Sequence, residues 1–169
     1  SLNDDKPHVV CCIINTAEYC LDTIKQLGEK YKFDLHEEID TYTSLVSDCI
    51  DFLVGYLVSK LVNTMKVAYT ATYVAQIRQQ IADIVPQVRA NLSSVKYFNR
   101  FCIEFVKSFI PKANIHICRY TYAEIKQALE DVEEIKKLLL NMPSVGMGID
   151  IYNPVEYDAF VNETMGKYA

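Results

Sequence analysis

Glycine and proline are scarce in this 169-residue sequence, five of each, and tryptophan is absent. An all-β chain needs a turn every ten residues or so, so this scarcity argues against one. With hydrophobic residues at 50% and charged residues at 23%, it also excludes collagen-like, linker-like and disordered chains. Long apolar runs are missing as well. The longest, Phe52 to Val58, falls far short of the roughly 18 residues that span a bilayer, so any membrane association is expected to be peripheral. There is no excess of positive charge: 17 basic residues face 22 acidic ones, and a net charge of -5 repels phosphate backbones, so general nucleic-acid binding is not expected. An initiator Met and a signal peptide are absent, and the polar opening from Ser1 to Pro7 reads as an excised piece of a longer protein.

Chemistry-bearing motifs are equally thin. The six cysteines, Cys11, Cys12, Cys20, Cys49, Cys102 and Cys118, include no C-x-x-C pair, and read as buried free thiols in a reducing cytosol. None of the three histidines has a Glu three residues before it, so the Glu-x-x-His pairs of di-iron bundles do not occur. His8 is expected in a frayed start, His36 in the first turn of a helix, and His116 beyond Pro111. The run from His36 to Asp40 fails as a zinc-protease helix because Asp40 stands where the second His belongs. There is no phosphate-binding loop and no nucleophile elbow. Gly146-Met147-Gly148 follows a helix instead of a strand and reads as plain loop. Cys118 and His116 would point about 160° apart on a helix, which opposes a catalytic dyad. No cofactor, metal site or catalytic residue is expected.

What is present is helical periodicity. Val10, Ile13, Ile14, Ala17, Leu21, Ile24, Leu27 and Tyr31 step by threes and fours through a first helix from Val9 to Tyr31. Asp34, with Glu37 three residues on, opens a second helix with Leu35, Ile39, Tyr42, Val46, Cys49, Leu53, Tyr56 and Val58 or Leu61 inward, ending near Asn63. Gly55 within it is either a weak point, costing up to about 1 kcal/mol against Ala, or a place where another helix backbone comes close. A third helix from about Thr70 to Phe109 keeps Val74, Ile77, Ile81, Ile84, Val88, Leu92, Val95, Phe98, Cys102, Phe105 and Phe109 in step, kinked at Pro86 and stopped by Pro111. Lys112 to Tyr120 is ambiguous and leans towards helix or turn. A fourth helix from Tyr122 to Met142 turns Ile125, Leu129, Val132, Ile135, Leu139 and Met142 inward, pairs Glu133 with Lys137, and stops at Pro143. A loop to Pro154 and a short helix from Val155 to about Met165 complete the reading. The expected fold is all-α: an elongated antiparallel helical bundle over 1–142, with 143–169 a loop plus short helix beginning the next bundle.

Two surface features follow. At 100° per residue, Arg78, Arg89, Lys96, Arg100 and Lys107 fall within roughly 40° of one another around the long third helix. This basic row is either an ordinary solvated face or a candidate docking surface for an acidic partner helix or an anionic lipid surface. Charge reversal at Arg89, Lys96 and Arg100 is expected to spare helicity and weaken a pull-down. The twelve tyrosines, Tyr97, Tyr120 and Tyr122 among them, are either interface residues or the outer layer of a bundle core.

Two segments, Val10 to Cys20 (VCCIINTAEYC) and Tyr97 to Lys112 (YFNRFCIEFVKSFIPK), resemble the vacuolar protein sorting fifty-three family. Leu138 to Ser144 is similar to the family's next helix end, and Tyr157 to Lys167 more weakly to the segment after it. The stretches Asp34 to Ala71 and Ala113 to Glu124 depart from the family pattern. The resemblance implies a segment of a CATCHR-type, all-helical tether subunit without catalytic activity, belonging to the GARP and EARP complexes. It implies partners of the vacuolar protein sorting fifty-one, fifty-two and fifty-four families, with syndetin replacing the last in EARP. It further implies retrograde vesicle tethering from endosomes, at the cytosolic face of the trans-Golgi network and endosomes, with SNAREs, small GTPases and the membrane surface as further candidates for contact. Two other readings share the composition: a helical-bundle metal or redox enzyme, which metal analysis would reveal, and a generic coiled-coil adaptor, which light scattering would reveal.

Overall fold

The computed structural model describes residues 6–67, 73–117, 125–146, 159 and 161–163. Five helices account for most of them: α1 (Lys6–Tyr31), α2 (His36–Val67), α3 (Tyr73–Asn91), α4 (Val95–Ile117) and α5 (Ile125–Gly146). No strand occurs among the described residues, so the all-α bundle is what the chain forms.

Local chemistry explains the first boundary. Lys32 adopts φ 60°, the left-handed region that ends helices and usually falls to glycine. Four residues later α2 begins, with the His36 N–H donating to the Asp34 carboxylate at 3.2 Å and Glu37 and Glu38 at the positive end of the helix dipole. This short link folds α2 back along α1, and the antiparallel register brings Cys11 beside Cys49 and Cys20 beside Tyr42.

α2, 32 residues or about 48 Å long, is the element around which the others gather: α1, α3 and α4 all pack on it. α3 runs along its C-terminal half, where the Thr64 hydroxyl donates to Gln80 Oε1 at 3.0 Å. α4 meets α2 first at Ser47, whose hydroxyl accepts from Arg100 at 3.0 Å. Beyond that point Phe105, Phe109, Ile110 and Ala113 are fully buried, while α2 has buried side chains only from Val46 to Met65. α4 therefore runs back along the buried half of α2, reversing the direction of α3. α3 and α4 barely touch each other, and α5 packs chiefly on α3. Val161 is buried in the same core.

Several expectations change here. The single long third helix is two helices, interrupted at Leu92-Ser93-Ser94, whereas Pro86 lies inside α3 without breaking it, as expected. Pro111 does not stop a helix either, because α4 continues through it to Ile117, and α5 passes Pro143 to reach Gly146. Each of these prolines deletes one backbone donor, which a well-packed helix absorbs. α2 extends past Asn63 to Val67. Ile13, Leu27, Tyr31 and Leu129 were expected inward and are exposed, Leu129 at 63%. The seam of α1 is narrower, formed by Cys11, Ile14, Ala17 and Leu21. α4 buries more than one stripe, adding Phe101, Val106 and Ile110, because it sits between α2 and α5. A Cβ on Gly55 would meet nothing within 4 Å, so no helix backbone approaches there. Lys137 pairs with Glu134, not Glu133, at 3.1 Å. Within the stretch expected as a short helix, Ala159 and 161–163 are helical, and the rest, like Cys118, Tyr120, Tyr122 and most of the loop after Pro143, lies outside the described residues.

Candidate docking surface

The interruption at 92–94 divides the basic row. Arg78 and Arg89 stand on α3, Lys96, Arg100 and Lys107 on α4, and because α4 reverses direction the constant angular step does not carry from one helix to the other. The continuous row on one helix is therefore not formed.

Each cation has local work instead. Arg78 Nη2 lies 2.7 Å from Glu134 Oε2 and ties α3 to α5, while Lys137 holds the same carboxylate from within α5. The Lys137 ammonium first, and Arg78 with it, keep Glu134 below the usual carboxylate range. Arg89 turns inward to the joint, donating to the Leu92 carbonyl at 3.2 Å with its guanidinium 5.8 Å from the Phe98 ring. Arg100 bridges α4 to Ser47. Lys107 pairs with Glu104 one turn back at 3.2 Å. Lys96 is exposed, its amine 5.9 Å from the Tyr97 ring. Charge reversal at Arg89 or Arg100 would therefore break contacts inside the bundle, and a weakened pull-down would not isolate docking. Tyr97 is half-buried, and its hydroxyl is pushed above the usual range by burial and by nearby Glu18 and Asp22, against a smaller opposing effect of Arg100.

The surface that sequence reasoning passed over is the outer side of α1. Val9, Cys12, Ile13, Thr16, Tyr19 and Leu27 are exposed there, Tyr19 at 73%. The charged residues between positions 9 and 27 are Glu18, Asp22 and Lys25, which fall within about 60° of one another on the opposite side of the wheel. Next to this face, Phe52, Gly55 and Tyr56 of α2 line an open groove with Lys6 and Lys60, the Lys60 amine 4.8 Å from the Tyr56 ring. The signal was in the sequence: between positions 9 and 27 the three charges are confined to one side of α1 and leave the other side of that stretch uncharged. It was obscured because Ile13 and Leu27 were assigned to the core.

The inner face of α1 carries a polar cluster. His8, expected to fray, is inside the helix, and its Nδ1 is 2.8 Å from Asn91 Oδ1. Cys11 is buried, and that burial, with Cys12 and Cys49 nearby, pushes its thiol up to about 11. Cys49 is raised by burial and by Asp48, and Cys102 by burial. Such thiols are inert at neutral pH. Cys12, by contrast, is exposed, contrary to the expectation that all six are buried. Among the described residues no group of three or more His, Cys, Asp or Glu could hold a metal ion, and no helix is long and apolar enough to cross a membrane.

Comparison with known proteins agrees with the family resemblance. A protein of Caenorhabditis elegans named vacuolar protein sorting-associated protein 53 homolog is 28% identical over 187 residues, covering 98% of this chain. The chain resembles a segment of vacuolar protein sorting-associated protein 53. An Arabidopsis thaliana protein, vacuolar protein sorting-associated protein 53 A, is 26% identical over 184 residues and covers 94% of the chain. The chain spans only 23% and 22% of these two relatives. No family model matches it, and no solved structure matches it significantly.

Proposed function

We propose that the chain is a non-catalytic helical segment of a vesicle-tethering subunit that serves vacuolar protein sorting. The observation that carries this reading is the similarity to two proteins named for vacuolar protein sorting, which extends over nearly the whole chain and so takes in every helix described. The architecture supports it: a helical bundle with a broad aromatic core supplies stiffness and surface. In the finer reading the segment is a piece of a CATCHR-type subunit of GARP and EARP, working with the vacuolar protein sorting fifty-one, fifty-two and fifty-four families or syndetin. The complex would act at the cytosolic face of the trans-Golgi network and endosomes in retrograde transport. Docking by the basic residues is then local, through Lys96 and, three turns along α4, Lys107, and not through one extended row.

The test places the segment in its full-length protein. Tagged protein should co-purify with subunits of the fifty-one, fifty-two and fifty-four families, and Phe105→Glu, which puts a charge in the core, should abolish rescue of vacuolar sorting in cells lacking the protein. Normal sorting by a Phe105→Glu variant at normal abundance would sink the reading. So would a full-length protein that sediments alone.

A further inference from the structure

The joint between α3 and α4 is held from outside. The Asn15 carboxamide, projecting from α1, donates through Nδ2 to the Asn91 carbonyl at 2.8 Å and accepts the Ser93 N–H on Oδ1 at 3.0 Å. Arg89 Nη1 takes the Leu92 carbonyl at 3.2 Å. In a continuous α-helix the same groups would be used by the backbone: the Ser93 N–H would go to Arg89, while the Asn91 and Leu92 carbonyls would accept from Val95 and Lys96. Leu92 N–H already donates to Val88, and Phe98 N–H to Ser94, in helical register on either side.

The local sequence permits a break, with Ser94 at the N-cap of α4, but does not compel one. From Gln87 to Ile110 there is no glycine or proline, and Val88, Leu92, Val95 and Phe98 keep a three-and-four apolar step across the joint. The apolar step is compatible with one helix, and a side chain 76 and 78 residues away in sequence helps to hold the joint as two. Opening the joint within one molecule would expose the buried face of α4. Opening it between two molecules need not, because a second copy can supply the same α4–α5 unit to the vacated site.

We propose that Leu92-Ser93-Ser94 is the hinge of a domain swap: when the Asn15 latch is lost, α3 and α4 join into one continuous helix and two copies of the chain exchange α4 and α5. The occupant of the vacated surface is thus a second copy, complementary because it is the same sequence in the same contacts. Closed and exchanged forms differ mainly at the hinge, where two side-chain hydrogen bonds from Asn15 are traded for backbone ones.

Light scattering after size separation, on the 169-residue chain over a range of concentrations, reads the mass. Asn15→Ala should raise the dimerisation constant about tenfold or more, the worth of roughly one net hydrogen bond. Ser93→Ala with Ser94→Ala, which raises helix propensity in the hinge and leaves the latch's backbone groups in place, should act in the same direction. Spin labels carried by non-canonical residues at the exposed positions Gln76 and Lys107, diluted with unlabelled chain, measure the distance within one chain. In the dimer it should approach about 46 Å, the length of a continuous helix over that interval. Adding Val95→Pro, which is compatible with a helix start but not its interior, should return the Asn15→Ala variant to monomer. Monomeric Asn15→Ala and Ser93→Ala/Ser94→Ala chains overturn the proposal, and so does a dimer whose intrachain distance equals that of the monomer. If Asn15→Ala fails to fold, the serine pair decides alone.

Discussion

Phe105 and Leu129 look alike in the apolar pattern and differ in the fold, so truncating each to alanine separates the two levels of reasoning. Phe105 is fully buried and stacked on Phe109, ring centroids 5.4 Å apart and planes 12° from parallel. Removing the ring returns on the order of 100 Å² of apolar surface to the ledger, about 2.5 kcal/mol at ~25 cal/mol/Å². Losing the stacked pair adds about 0.5–1.5 kcal/mol, and the cavity left between α2 and α5 adds more, so a loss of about 4 kcal/mol is expected for Phe105→Ala. For a chain of this size that lowers the melting temperature by roughly 8–16 °C. Leu129 is 63% exposed, and Leu129→Ala should stay within about 0.5 kcal/mol. Urea unfolding followed by far-ultraviolet circular dichroism reads both as shifts in midpoint at constant slope. A Phe105→Ala loss below about 1 kcal/mol, or a Leu129→Ala loss above it, would refute the assignment of α4 to the core and of that α5 position to the surface.

Gly55→Ala should stabilise the chain by about 0.5–1 kcal/mol, because the site is helical and a Cβ there meets nothing; chemical denaturation showing a loss would mean that the groove is filled in solution. Alkylation at pH 8 followed by peptide mass spectrometry should mark the exposed Cys12 first and leave Cys11 and Cys102 unmodified until the chain unfolds. Equal rates would contradict their burial and the raised Cys11 thiol at about 11. Glu134 is held below its ordinary value of 4.5, so its contribution is present above that pH and lost as the pH falls through the lower folded value. The stability difference between wild type and Glu134→Gln should accordingly be constant near neutrality and shrink below pH 4.5, and a difference that persists in acid would place its origin elsewhere.

Helix positions were legible because each is specified by neighbours three and four residues away. Ile14, Ala17 and Leu21 on α1, Val46 and Leu53 on α2, and Ile77, Ile81 and Val88 on α3 all lie where their spacing put them. The cap at Asp34 was legible for the same reason, since the carboxylate and the N–H it accepts are two residues apart. Width was not. Periodicity finds the centre of an apolar stripe, but whether Ile13 falls inside its edge or Phe101 widens it depends on how many helices crowd around. α1 is covered on one side and α4 on two. The basic row failed for a related reason: five cations were placed on one helical wheel, and the wheel ended between Arg89 and Lys96.

By itself the sequence determined that the chain is helical, that a core forms, and that the chain is similar to vacuolar protein sorting relatives over nearly its whole length. All of these are carried by composition and short-range order. Ser94 offers a local cap, but only the tertiary structure decided how the joint is held, because the carboxamide of Asn15 and the backbone of Asn91 and Ser93 meet only once α1 has folded against it. Helix propensity acts within a turn or two. A joint held by a side chain more than seventy residues away is written in packing, and packing is where the direction of α4, and with it the shape of every surface, was set.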